Sequence, residues 1–231
     1  MASAKNKSFS FKVVMLGEGC VGKTSIVLRY CENKFYAKHM TTLQASFFTK
    51  KLSISGSRVN LAIWDTAGQE RFHALGPIYY RDSNGAVLIY DITDEESFQK
   101  VKSWVKELRR ILGNEVCLCI VGNKTDLDKD RNVSSEDGER FADAVGAKHF
   151  ETSAKLNTGI DELFLSLCKQ TMENFARWYF TTGMMEAAVV EEQARMNDEP
   201  CSGFARRTLQ IMDNDAEETA TVSSGSCCFS G

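Results

Sequence analysis

The stretch Gly17-Glu18-Gly19-Cys20-Val21-Gly22-Lys23-Thr24 fits the pattern G-x-x-x-x-G-K-[ST]. That pattern suits phosphate binding. A glycine-rich turn lets backbone N–H groups, here those around Gly19 to Gly22, converge on phosphate oxygens. A helix opening at Lys23 adds the partial positive charge of its N-terminus. Lys23 brings a point charge to β- and γ-phosphates, the Thr24 hydroxyl suits Mg²⁺, and Ser25 follows in the first turn. The same residues contain Gly17-x-Gly19-x-x-Gly22, a dinucleotide fingerprint. That site wants an acidic residue about 20 positions on, and Lys38-His39-Met40-Thr41-Thr42 stands there instead.

Further on, Trp64-Asp65-Thr66-Ala67-Gly68-Gln69 closes an apolar run. An Asp at a strand end, Asp65, can hold a metal, usually through water. Gly68 can bring its N–H to a γ-phosphate without a Cβ in the way. Gln69 can orient an attacking water. Alone, D-x-x-G fits a chance turn equally well; its place after the phosphate loop gives it weight. Asn123-Lys124-Thr125-Asp126 follows a second apolar run, Val116–Val121. Guanine presents N1–H and an exocyclic amine side by side, and the carboxylate of Asp126 can accept from both. Adenine offers no such pair and would leave the carboxylate unpartnered. Lys124 can lie along the base, and Asn123 can tie this loop to the phosphate loop. Taken alone, a polar loop after a strand reads as well. Thr152-Ser153-Ala154-Lys155 then offers a backbone N–H to guanine O6.

These residues need elements to hold them. Phe11–Leu16 reads as a buried strand, and Lys23–Tyr30 has helical spacing with Ile26, Val27 and Tyr30 on one side. Leu43–Lys50 and Arg58–Trp64 flank Ser55-Gly56-Ser57 as a hairpin. Ala86–Tyr90 and Val116–Val121 suit strands covered on both faces. Glu95–Leu112 is a helix with Phe98, Val101, Val105, Leu108 and Leu112 on one stripe. Ser134–Val145 is another, capped by Ser134 with Asp137 in its first turn. Lys148–Glu151 is a last strand and Gly159–Asn174 a last helix. Strands alternating with helices predict an α/β fold with a mostly parallel sheet, helices on both faces and one antiparallel edge strand.

The chain has 231 residues, enough for one domain and a tail. A net charge of −3 argues against a nucleic-acid binder, which would show a basic face. Eight cysteines show no metal-ligand spacing and read as reduced thiols. Met1-Ala2-Ser3-Ala4-Lys5 shows no secretory leader, and no apolar run approaches the roughly 20 residues of a membrane span. Asp126, Asp128 and Asp130 alternate as in a calcium loop, but position 131 is Arg, so a solvated loop is expected. His39, His73 and His149 are scattered, and Trp104 reads as packing. Residues 197–226 are polar and predicted to be disordered. Arg177–Phe180 and Met184–Val190 are apolar for a linker: either the last helix runs on past 175, or the stretch meets a partner or membrane.

The motifs, in this order across residues 9–175, resemble the Ras superfamily. The resemblance implies a three-layer P-loop NTPase (Ras-like) fold with a six-stranded sheet, and a GTPase acting as a GTP/GDP switch with Mg²⁺. Thr42 matches the switch threonine that ligates Mg²⁺ and senses the γ-phosphate. Phe35 matches the aromatic beside the base, and Gln69 the catalytic glutamine. Gly19 sits where bulk impairs hydrolysis in relatives. Trp64–Phe72, Tyr79-Tyr80-Arg81-Asp82, Tyr90-Asp91-Ile92-Thr93 and Cys227-Cys228 resemble Rab proteins, and Thr42–Phe47 and Phe72–Tyr80 resemble early-endosomal members. This implies an effector surface at Phe47, Trp64 and Tyr79, although half-buried aromatics of a sheet would read the same. It also implies prenylation of Cys227 and Cys228, exchange factors, Rab-type GAPs, a GDP-dissociation inhibitor or escort, and endosomal vesicle traffic. Two lipids are reasonable, since one chain binds membranes marginally. Two rivals are a scaffold that holds GTP without turnover and an ATP-using phosphoryl transferase. Gln69, Thr42 and Gly19 oppose the first, Asn123–Asp126 the second.

Overall fold

A computed structural model describes residues 7–37, 42, 45–66, 68 and 79–182. The elements run β1 (Ser8–Leu16), α1 (Lys23–Glu32), β2 (Ser46–Ile54), β3 (Ser57–Asp65), β4 (Gly85–Asp91), α2 (Glu95–Leu112), β5 (Cys117–Asn123), a short 3-10 helix (Thr125–Asp130), α3 (Ser135–Ala144), β6 (Lys148–Thr152) and α4 (Ile160–Thr182). One six-stranded sheet takes the order β2-β3-β1-β4-β5-β6. Only β2 and β3 pair antiparallel. Ser55 and Gly56 both have positive φ, the conformation of a two-residue hairpin turn that matches strand twist. Ser57, expected in the turn, is the first residue of β3.

Alternate residues of the central strands face opposite layers. Val13, Met15, Val87, Ile89, Cys119 and Val121 pack under α1 and α4. Val14, Leu16, Ala86, Leu88, Leu118 and Ile120 pack under α2 and α3. β4 and β5 are buried along their whole length, as a two-sided parallel strand must be. The helix ends follow their caps. Asp94 accepts from the N–H groups of Glu96 and Ser97, and Ser134 accepts from that of Asp137. Cys20, Cys31, Cys117, Cys119 and Cys168 are free thiols.

Two elements extend past their expected ends. β1 begins at Ser8, three residues before its apolar run, because Ser8–Ser10 pair with Arg58–Asn60 of β3. α4 continues to Thr182. Phe175 explains this: its ring centroid lies 5.7 Å from Phe9 and 4.6 Å from Tyr179, so the last turns pack on the start of β1. Arg177–Phe180 is therefore helix, and Met184–Val190 lies outside the described residues. No described helix is long and apolar enough to cross a membrane. The Asp126–Asp130 run forms the 3-10 helix, and among the described residues no cluster of three or more His, Cys, Asp or Glu could hold a metal.

Each chemistry-bearing motif begins at the C-terminal end of a strand of the parallel set: Gly17 after β1, Asp65 ending β3, Asn123 ending β5 and Thr152 ending β6. After β1 the chain builds β3 on one side and then crosses to β4 on the other. Open α/β sheets bind ligands at such a switch point.

Candidate functional site

The loop from Gly17 to Thr24 is held by close backbone approach. Gly17 has φ +142°, and a Cβ there would strike the carbonyl of Ile89; Gly22 has φ +100°, and a Cβ there would strike Asn123 Nδ2. At Gly19 a Cβ would meet only the Gly68 carbonyl at 3.9 Å, an ordinary contact. Val21 is buried and its carbonyl accepts from Asn123 Nδ2 at 2.9 Å. Cys20 is exposed in the left-handed region, φ 62°. Lys23, 5% exposed, donates to the carbonyls of Gly17 at 2.8 Å and Glu18 at 2.7 Å. Burial pulls its ammonium down to about 8, against the opposing charges of Asp65 and Glu18. Gly68 abuts this ammonium; a Cβ would collide with it.

Asp65 is fully buried, and neither carboxylate oxygen makes a hydrogen bond. Burial pushes it up to about 6, against the nearby Thr24 hydroxyl and Lys23. The Thr24 and Thr42 hydroxyls bond each other at 2.7 Å. A buried carboxylate without partners is costly unless a cation compensates. One carboxylate with two hydroxyls suits a hard cation that keeps waters and draws its remaining ligands from phosphate, the habit of Mg²⁺. The residues present fit that ion.

The second half of the site is a tethered loop pair. Asn123, 2% exposed, spans from the Val21 carbonyl to Thr152, whose hydroxyl donates to Asn123 Oδ1 at 3.1 Å. This is the tie between phosphate and base loops that Asn123 was expected to make. Asp126 Oδ1 accepts from Ser153 Oγ at 2.6 Å, and Lys155 Nζ lies 3.4 Å from Oδ2. Burial works to raise the Asp126 carboxyl, but Ser153 and Lys155 together hold it below the usual carboxylate range. Lys124, φ 70°, pairs with Asp91 Oδ2 at 2.6 Å. Ala154 is buried, and Ser153 and Thr158 exchange backbone hydrogen bonds across the loop.

Phe35 sits at the margin of the core, with the Arg29 guanidinium carbon 6.0 Å from its ring centroid. Phe47 and Trp64 face each other across β2 and β3 at 5.3 Å, and Tyr79 lies 6.1 Å from Trp64. The aromatic trio is thus one contiguous group, with Phe47 37% exposed. Ser25 follows Thr24 in the first turn of α1. Gln69, Cys227 and Cys228 lie outside the described residues.

Three contributors escaped the motif reading. Asp91, ending β4, holds Lys124 and accepts from the N–H and hydroxyl of Thr93. The Thr66 hydroxyl donates to the Met15 carbonyl at 2.7 Å and pins the chain beyond Asp65 to β1. Arg29 bonds the base loop from α1. Asp91 had a signal, the same strand-end placement as Asp65; Arg29 had none.

A sequence profile of the Ras family matches residues 12–173. The Ras-related protein Rab-21 of Mus musculus is 65% identical over 225 residues, covering 97% of this chain and 94% of its own. Rab-21 of Homo sapiens gives 65% over 225 residues, with 97% and 93% covered. Rab-21 of Dictyostelium discoideum gives 61% over 165 residues, with 71% and 78% covered.

Proposed function

The chain belongs to the Ras family as a small GTPase of the Rab type, an enzyme that hydrolyses GTP to GDP and phosphate, and from this we propose that it is a membrane-traffic switch whose site residues act as follows. The phosphate loop, Gly17 to Ser25, cradles the nucleotide, with Lys23 on the β- and γ-phosphates. Thr24 and Thr42, with Asp65 through water, hold Mg²⁺, which neutralises charge developing on the phosphates. Asn123, Lys124, Asp126, Ser153, Ala154 and Lys155 read guanine, and Phe35 covers it. Gln69 orients the attacking water. The observation that carries this reading is the fully buried Asp65 carboxylate, without a hydrogen bond, near Lys23 and the Thr24 hydroxyl that bonds Thr42.

Thr42 and Gly68 connect two loops to the γ-phosphate, and hydrolysis releases them. Effectors select the ordered state, and the Phe47–Trp64–Tyr79 group is where they bind. Residues 9–175 form the GTPase domain. The remainder, 176–231, begins as the helix end and continues as a tail that carries prenyl groups on Cys227 and Cys228 to the cytoplasmic face of early endosomes. An exchange factor, a Rab-type GAP and a GDP-dissociation inhibitor or escort complete the cycle.

Full-length protein loaded with GTP tests the proposal in a single-turnover assay. We expect intrinsic hydrolysis of the order of 10⁻⁴ to 10⁻³ s⁻¹, as in Ras. Gln69→Leu should bind GTP unchanged and hydrolyse it about tenfold more slowly, general positioning of one proton-bearing group being worth at least that. GTP binding with no turnover in wild type, even with a Rab-type GAP, would show a scaffold instead.

Affinity should also follow pH. Phosphate raises the pKa of Lys23, so its contribution is full below about 8 and fades as pH climbs from there toward the raised value of the bound state. A cation lowers the pKa of Asp65, so its contribution is full above about 6 and fades as pH falls from there toward the lowered value of the bound state. Titrating stripped protein with fluorescent GDP and Mg²⁺ should give a plateau between pH about 6 and about 8. Asp65→Asn should flatten the acid flank; an unchanged flank would remove Asp65 from the cation site.

A further inference from the structure

Arg29 lies in the last turn of α1, the helix that opens at Lys23. Its guanidinium reaches in three directions. Nε donates to the Ala154 carbonyl at 3.0 Å, and one terminal nitrogen to the Lys155 carbonyl at 3.4 Å. The other terminal nitrogen donates to the backbone carbonyl of Asn33 at 3.2 Å and to its Oδ1 at 3.1 Å. The same group lies against Phe35, 6.0 Å from its centroid. A single side chain thus links the phosphate helix, the chain leading to Phe35 and the Ser153–Lys155 loop.

We infer that Arg29 is a positioning residue for guanine recognition, aiming the Ala154–Lys155 backbone at the 6-position of the base. The inference rests on the reading of Ser153–Lys155 as the guanine-facing loop. A peptide unit is planar, so pinning carbonyls on one side fixes where the N–H groups of the loop point on the other. The loop needs such help. Its internal ties are the Ser153–Thr158 bridge and the Ser153 hydroxyl, which accepts from Leu156 N–H at 3.1 Å. Both close the loop on itself, and Ser153 and Lys155 tie it to Asp126 on one side; Arg29 alone of these ties it to α1 on the other. The fork is essential, because an ammonium cannot reach both carbonyls and Asn33 in fixed directions.

The test uses full-length protein, stripped of nucleotide, and two probes: GDP and the diphosphate of 2-aminopurine riboside, which keeps the 2-amino group but lacks the 6-oxygen and N1–H. The N1–H loss weakens the analogue equally in wild type and variant, so the change in discrimination reads the 6-position. Arg29→Gln should weaken GDP by about tenfold or more, the worth of a charge-assisted hydrogen bond, while the analogue weakens less than about threefold. Discrimination between the two therefore shrinks. Arg29→Lys, which keeps the charge, should recover part of it, and carries the comparison if Arg29→Gln does not fold. GDP affinity within about twofold of wild type, or equal weakening of both probes, would overturn the role of Arg29. Wild type that fails to discriminate the probes would instead overturn the guanine-facing reading of the loop.

Discussion

The Asp126→Asn variant is expected to bind GDP about 10²- to 10⁴-fold more weakly than wild type, since one hydrogen bond to a charged acceptor gives way to two facing donors and the other loses its charge. The carboxylate is aimed before any base arrives. Ser153 Oγ donates to one oxygen at 2.6 Å and Lys155 stands 3.4 Å from the other. These contacts hold it ionised and leave its remaining lone pairs for N1–H and the 2-amino group of guanine. An amide in its place presents one acceptor and one donor, and that donor faces the 2-amino group. Xanthine carries a 2-oxo group there, so the variant should gain affinity for xanthosine diphosphate as it loses GDP. Competition titrations with GDP, xanthosine diphosphate and ADP would measure both changes. The substitution conserves size, so the melting temperature of stripped protein should stay close to wild type. GDP affinity within about threefold of wild type would remove Asp126 from the base site.

What the sequence disclosed and what it withheld divide along one physical line. The strand-end motifs were legible because each residue needed for chemistry follows a short apolar run, and a buried parallel strand ends where polar groups can reach solvent. Asp65, Asn123 and the loop after Leu16 were placed that way, and all three lie at the C-terminal ends of interior strands. The full stripe of α2 and the Ser134 N-cap of α3 were legible for similarly local reasons. Long-range contacts that no motif carries were not. Arg29 bonds Ala154 from 125 residues away, and nothing in the spacing around Arg29 encodes that partner. Phe9 had no apolar strand neighbours on its N-terminal side, so its packing on Phe175 was hidden, and with it the two added turns of α4. Asp91 stood at a strand end like Asp65, beside Thr93 and Asp94 of the turn that follows. It does serve the turn, through Thr93, while also holding Lys124.

Replacing Lys23 by Met should cost nucleotide affinity on a similar scale, about 10²- to 10⁴-fold, through two charge-assisted contacts to phosphate. The geometry adds a second loss. Lys23 Nζ donates to the carbonyls of Gly17 and Glu18, so the ammonium also draws the loop around itself. Without it, two carbonyls lose their donor and the buried Asp65 loses its nearest cation. Lys23→Arg keeps the charge and is expected to fail nearly as badly. The ammonium already fills the space in which a Gly68 Cβ would collide, and a planar fork is larger than a compact ammonium. The weakening should be greater for GTP than for GDP, because in the proposed site Lys23 would serve the γ-phosphate as well as the β-phosphate. Equilibrium titration of both nucleotides on stripped wild type and Lys23→Met, at pH 7 where the wild-type lysine is charged, gives the two ratios directly. Equal and small losses, within about threefold for each nucleotide, would place Lys23 outside the phosphate site and leave the helix N-terminus and loop N–H groups to bind phosphate alone.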